Sequence, residues 1–228
     1  MEVVMEKTLV AKFMRSLQTP QQAISLTTFR VDRAGYGELR ELLEIAYKNE
    51  VARRNGDPVI TPDLEKKIAT VAKWLISGKK PGLLLFGSIG SGKTTLARAI
   101  MRTINYLYYS VYRDQRKEIA EISALNLTKL IATGEKPDEE SFLRFQKREM
   151  VFIDDLGLEP AAIKNYGNEI LPVVDLLYYR HDRMLFTICT SNLDMEGLEE
   201  KYGKRTGSRF YEMFNRMGFT NEDYRRKA

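Results

Sequence analysis

With one cysteine and one histidine in 228 residues, this chain lacks the side chains for several kinds of chemistry. A lone thiol, Cys189, cannot form an intramolecular disulfide, so a cytoplasmic setting is expected. Its place inside an apolar run predicts a buried, inert thiol. The lone His181 has no Cys or second His to complete a zinc cluster and is expected on a helix surface. No apolar run approaches the ~18 residues that a membrane helix needs. Glu2, Glu6, Lys7 and Lys12 interrupt any secretory core at the start. These absences predict a soluble, non-exported protein without a membrane partner.

The length is enough for a real core in one large domain, with room for a small appendage. The net charge of +5 is unevenly placed. Residues 201–228 hold eight basic residues against three acids, and the whole surplus can be assigned there. A basic tail of this kind either keeps the surface solvated or meets an anion, nucleic acid or a neighbour's bound triphosphate.

The most specific pattern is Gly87-Ser88-Ile89-Gly90-Ser91-Gly92-Lys93-Thr94, preceded by the strand-like Pro81-Gly-Leu-Leu-Leu-Phe and followed by a helical run from Thr95. Glycines at 87, 90 and 92 let the backbone curl so that several N–H groups point at one phosphate. Lys93 can then reach the β- and γ-phosphates, and the Thr94 hydroxyl can serve Mg²⁺. The helix that follows turns its positive end to the anion. A nucleoside triphosphate with Mg²⁺ is the expected ligand, bound by residues 87 to 95.

Residues 1–61 differ from the rest. Glu38 to Arg54 is amphipathic, with an apolar stripe at Leu39, Leu42, Leu43, Ala46 and Tyr47, and it stops at Asn55-Gly56-Asp57-Pro58. A weaker helix is expected over Glu2 to Leu17. This N-terminal region reads as a helical, partner-binding appendage, the simple brace being the alternative. Thr61 and Pro62 then mark a new helix start. From residue 82 onward, strand-like runs alternate with helical ones: Leu83–Phe86, Glu118–Ser123, Met150–Asp154, Met184–Thr190 and a weak one near Met217–Thr220. That alternation predicts an α/β domain over 62–228, three layers around a parallel sheet, with ligands at the carboxyl ends of its strands.

Sixty residues beyond Lys93, the apolar Met150-Val-Phe-Ile ends in Asp154-Asp155. The first carboxylate suits Mg²⁺ and the second suits an attacking water, to orient or deprotonate it. The next strand ends in Thr190-Ser191-Asn192, so the Asn192 amide is a candidate sensor of the γ-phosphate. Farther on, Arg205 and Arg209 stand four residues apart. With Ser208 as a helix cap, Arg209 would sit in an exposed first turn, free to reach a neighbouring subunit's nucleotide.

This ordered set, the loop 87–94, Asp154-Asp155-Leu-Gly, Thr-Ser-Asn192-Leu and Gly-Lys-Arg205-Thr-Gly-Ser-Arg209, resembles the AAA+ ATPases, specifically the DnaC-type helicase loaders and IstB-type transposition helpers. Phe219-Thr-Asn-Glu-Asp223-Tyr224-Arg225 is similar to the loaders' closing segment. The resemblance covers about 62–228. It implies a five-stranded parallel sheet, ATP-dependent assembly on single-stranded DNA, a replicative DNA helicase or a transposase as partner, and Arg209 as an arginine finger through which subunits assemble. Three departures stand out. Only residues 210–228 follow Arg209, too few for the helical C-terminal lid of most AAA+ proteins. The N-terminal region has no cysteines for a zinc module. The stretch Asn105 to Arg116 is longer than its counterpart, and its tyrosines either pack a helix on the sheet or stack on single-stranded bases.

Helicase loading with ATP hydrolysis is the leading expectation. The alternatives are an IstB-like transposition helper, a nucleotide-dependent adaptor that hydrolyses little, and a small-molecule kinase. Against the kinase, the strand-terminal Asp154-Asp155 with Asn192 favours water as the acceptor.

Overall fold

A computed structural model describes residues 29–110, 113, 117–132, 138–165 and 168–220. The helix expected over Glu2–Leu17 and most of the closing segment 219–225 lie outside them. In chain order the elements are α1 (Tyr36–Ala52), α2 (Pro62–Ser77), β1 (Gly82–Gly87), α3 (Lys93–Ile104), β2 (Ala120–Ser123), α4 (Ala124–Lys129), α5 (Glu139–Lys147), β3 (Met150–Leu156), β4 (Ile163–Asn165), β5 (Asn168–Ile170), α6 (Pro172–Asp182), β6 (Phe186–Ser191), α7 (Met195–Tyr202), α8 (Lys204–Met213) and β7 (Phe214–Phe219). α3 runs on into a π-helical turn, Asn105–Ser110.

Five strands form one parallel sheet in the order β2-β3-β6-β1-β7, and β4 and β5 form a small antiparallel pair. The fold is the expected α/β one. β1 and β6 lie inside the sheet, which is why Leu83-Leu-Leu and the run up to Ser191 read as continuous buried stretches rather than alternating ones. Their side chains still alternate between faces. Leu83 and Leu85 pack with α1, α2 and α3, whereas Leu84 packs on the other face with residues of α4 to α8.

Local signals set the helix ends. Thr61 Oγ1 accepts from the Leu64 N–H, and Pro62 opens α2. Leu64, Ile68, Val71 and Leu75 then form its buried stripe. α1 buries Leu39, Leu43 and Tyr47 in the same cluster as α2, β1 and α3, so the described part of 1–61 shares the core of 62–228.

The Tyr-rich stretch divides. Tyr108 is buried, its hydroxyl donating to Asp32 at 2.7 Å, whereas Tyr106 is exposed. Cys189 is fully buried, and burial pushes its thiol pKa up. His181 lies on α6, 3.4 Å from both Asp182 and Glu212. Among the described residues, no helix is long and apolar enough to cross a membrane.

One expectation is overturned. Ser208 does not cap a helix, because α8 begins at Lys204 behind Gly203, whose positive φ of 85° breaks the chain direction between α7 and α8. Arg209 therefore sits in mid-helix.

Candidate functional site

The loop between β1 and α3 is shaped by three glycines at positive φ, Gly87, Gly90 (73°) and Gly92. Gly87 has φ 120°, and a Cβ there would stand 2.2 Å from the Phe219 carbonyl oxygen. That same oxygen accepts from the Ser88 N–H at 2.8 Å, which fastens the loop's first turn to the end of β7. Gly92 has φ 94°, and its missing Cβ would stand 2.9 Å from the Tyr47 hydroxyl of α1. Only glycine adopts these angles at little cost. α3 then starts without a side-chain cap and without an acid in its first turn. Its unpaired N–H groups and dipole suit an anion.

Lys93 is 5% exposed, and its ammonium donates to the carbonyls of Gly87 (2.9 Å) and Ser88 (2.6 Å). It is held over the curl of the loop, ready to exchange carbonyls for phosphate oxygens. The Thr94 hydroxyl donates to Asp154 Oδ1 at 2.9 Å across sixty residues of sequence. A hydroxyl and a carboxylate side by side are hard oxygen ligands of the kind Mg²⁺ takes when phosphates complete its shell. The residues present fit a Mg-nucleotide.

Asp154, Asp155 and Asn192 come to the same sheet edge because β3 and β6 are neighbours in register. That register shifts between Ile153 and Leu156, and Asp155 takes a left-handed φ of 57°. The Asp155 N–H donates to Thr190 Oγ1 at 2.9 Å, while the Thr190 hydroxyl donates to Asp154. Thr190 thus ties both acids to β6, a role that its place in the strand end did not disclose. Asn192 follows, half-buried, and its amide makes no hydrogen bond among the described residues.

Other residues escaped the sequence reading. Arg98, one turn along α3 from Thr94, donates to Glu121 Oε1 at 2.8 and 2.7 Å and lies 3.7 Å from Asp154 Oδ2. The bond to Glu121 raises its pKa above the usual arginine value. Glu159, 1% exposed, accepts from the Gly157 N–H at 2.9 Å and from the Tyr202 hydroxyl. It fastens the turn after Asp155 to the end of α7. Burial lifts its carboxyl above the ordinary range, against the opposing pull of those bonds.

Arg209 is not part of this cluster. Its guanidinium lies 4.0 Å from the centre of the Tyr178 ring and 3.4 Å from Asp182, both on α6. Arg205, in the first turn of α8, is exposed and has no ion pair among the described residues.

A family model described as "ATPase family associated with various cellular activities (AAA)" matches residues 83–213. Comparison with curated proteins finds no match. Among solved structures, the chain is similar to DnaI, with 24% identity and a TM-score of 0.54 over 79% of this chain and 94% of that one. It is similar to the DnaC helicase loader, with 19% identity and a TM-score of 0.55 over 76% and 98%. AMPPCP-bound DnaA from Aquifex aeolicus follows, with 16% identity and a TM-score of 0.51 over 72% and 50%. At these identities the likeness is one of fold.

Proposed function

Given that the chain belongs to the AAA family of ATPases, we propose that it binds and hydrolyses ATP at the loop 87–95 and uses that cycle to load a replicative helicase on single-stranded DNA. The observation that carries the ATPase reading is the Thr94–Asp154 hydrogen bond, which joins the phosphate loop to the acid-tipped strand. Residues 87 to 95 and Lys93 bind the phosphates, and Thr94 with Asp154 holds Mg²⁺. When bound, the ion neutralises charge on the phosphates.

Asp155 takes or orients a proton of the attacking water, and Asn192 donates from its amide to the γ-phosphate or to that water. Arg209 serves the next subunit's nucleotide and must first leave Tyr178 and Asp182. The helicase partner is supported by the fold likeness to the DnaC helicase loader. Residues 1–61 are the region that we assign to reading the partner.

The test is ATP turnover by the purified protein, with and without single-stranded DNA, alongside a pull-down from its source. Turnover with helicase capture is expected. Capture of a transposase instead would make the protein a transposition helper, and binding without turnover would make it an adaptor. DNA affinity should fall steeply with salt, since Lys and Arg contacts to phosphate release counterions.

A further inference from the structure

The end of α1 brings three arginines to one buried acid. The Glu50 carboxylate, 5% exposed, pairs with Arg53 at 4.0 Å, with Arg54 at 3.8 Å and with Arg102 of α3. One carboxylate balances one guanidinium, so the group keeps a surplus of positive charge beside α3. Such a surplus favours a neighbouring anion.

Arg54 reaches farthest toward the phosphate loop. Its Nη1 donates to Thr95 Oγ1 at 3.0 Å. Thr95 stands in the first turn of α3, where backbone N–H groups have no helical partner and face the anion. The Arg54 side chain is 45% exposed, and its remaining N–H groups make no hydrogen bond among the described residues. α1 also touches the loop a second time, through the Tyr47 hydroxyl against Gly92. A guanidinium anchored on Thr95 through Nη1, with Nη2 only loosely paired to Glu50 at 3.8 Å, can turn its free N–H groups to phosphate oxygens in a fork.

We propose that Arg54 is a nucleotide-binding residue, supplied from outside the phosphate loop, that joins the phosphate chain beside Thr95 and clamps α1 onto α3 when nucleotide is present. The proposal rests on the nucleotide reading above. Lys93 serves the outer phosphates, and Arg54 stands on the Thr95 side of the loop. It is therefore assigned to the inner phosphates, which ADP and ATP share.

The experiment titrates fluorescent ADP and ATP into the wild-type protein, Arg54→Ala and Arg54→Gln. Glutamine keeps most of the aliphatic stem but carries no charge and is two bonds too short for Thr95, so comparison with alanine separates packing of the stem from phosphate binding. Both variants should lose roughly tenfold or more in affinity, equally for ADP and ATP, as expected for a charged hydrogen bond. In hydrogen exchange, ADP should slow the amides of Tyr36–Ala52 in the wild type and leave them unchanged in Arg54→Gln. Wild-type affinity in both variants, with a lowered melting temperature only in Arg54→Ala, would make Arg54 a brace and overturn the proposal. Loss of ATP affinity alone would overturn the assignment to the inner phosphates. No binding of either nucleotide by the wild type would instead sink the nucleotide reading itself.

Discussion

Lys93 is the loop's one cationic side chain, and it already sits inside the curl on carbonyls that a phosphate would displace. Lys93→Ala should keep the fold, read by circular dichroism, and lose nucleotide affinity by roughly 10- to 100-fold, the range of a charged hydrogen bond. Unchanged affinity would remove the loop from the site. The two acids should separate. Asp154→Ala should lose Mg²⁺-dependent binding, whereas Asp155→Asn should bind normally and turn over roughly 10²- to 10⁴-fold more slowly, as for loss of a general base. Asparagine is the substitution to use, since it tolerates the left-handed φ of 57° there. Wild-type turnover by both variants would make the acid pair structural. Glu159 gives a prediction in pH. Because burial raises its folded-state pKa, its stabilising effect is complete below the unfolded value, near 4.5, and is lost as pH rises through the folded pKa. Glu159→Gln has no such titration. Its melting temperature should improve relative to wild type as the pH rises from below about 4.5 to neutrality. A pH-independent difference would show that Glu159 titrates alike in both states.

At the scale of elements, Arg180 shows how α6 is held. It is fully buried, and it donates to the carbonyls of Arg148 and Phe186, both at 2.6 Å, to that of Phe145 at 3.2 Å, and to Thr187 Oγ1 at 2.8 Å. One side chain thereby satisfies the α5–β3 connection and the start of β6. Burial pushes its pKa down to about 9. Arg180→Met keeps much of the volume and strands those acceptors, so urea unfolding should show a loss of about 3–5 kcal/mol. A loss under about 1 kcal/mol would mean that water replaces the guanidinium. α1 plays the corresponding part on the other face of the sheet, where Leu39, Leu43 and Tyr47 complete the cluster over α2 and α3.

At the scale of the molecule, the role proposed for Arg209 is one played on a neighbour. The Arg209 guanidinium, carried on α8, rests against Tyr178 and Asp182 of α6 and not among Lys93, Asp154 and Asn192, so a catalytic role for it requires a second subunit. Arg209→Ala should bind ATP nearly normally and hydrolyse it poorly. Mixing it with Lys93→Ala should restore part of the turnover, because each variant keeps what the other lacks. The effect should be large, since an arginine supplied in trans contributes roughly 10³ to 10⁵ in rate in other phosphoryl-transfer systems. A mixture that co-assembles and stays inactive would end the trans role. Full activity of Arg209→Ala alone would move that role to the exposed Arg205.

The amino-acid sequence alone determined the phosphate loop, the α/β alternation and the acids at the end of β3, because each rests on short-range spacing. A glycine pattern imposes a backbone curl, and an apolar run ending in charge imposes a strand with a wet tip. The Thr61-Pro62 start of α2 was legible for the same reason. What only the tertiary structure decided is long-range. That Thr190 ties both acids to β6 follows from the order of strands, not from their order in the chain. That Gly203, and not Ser208, opens α8 follows from the sharp turn off α7, and the capping preference of serine could not foresee it. Arg54 and Tyr47 meet the loop only because α1 buries its stripe against α3, and an amphipathic helix carries no record of the surface that will cover it.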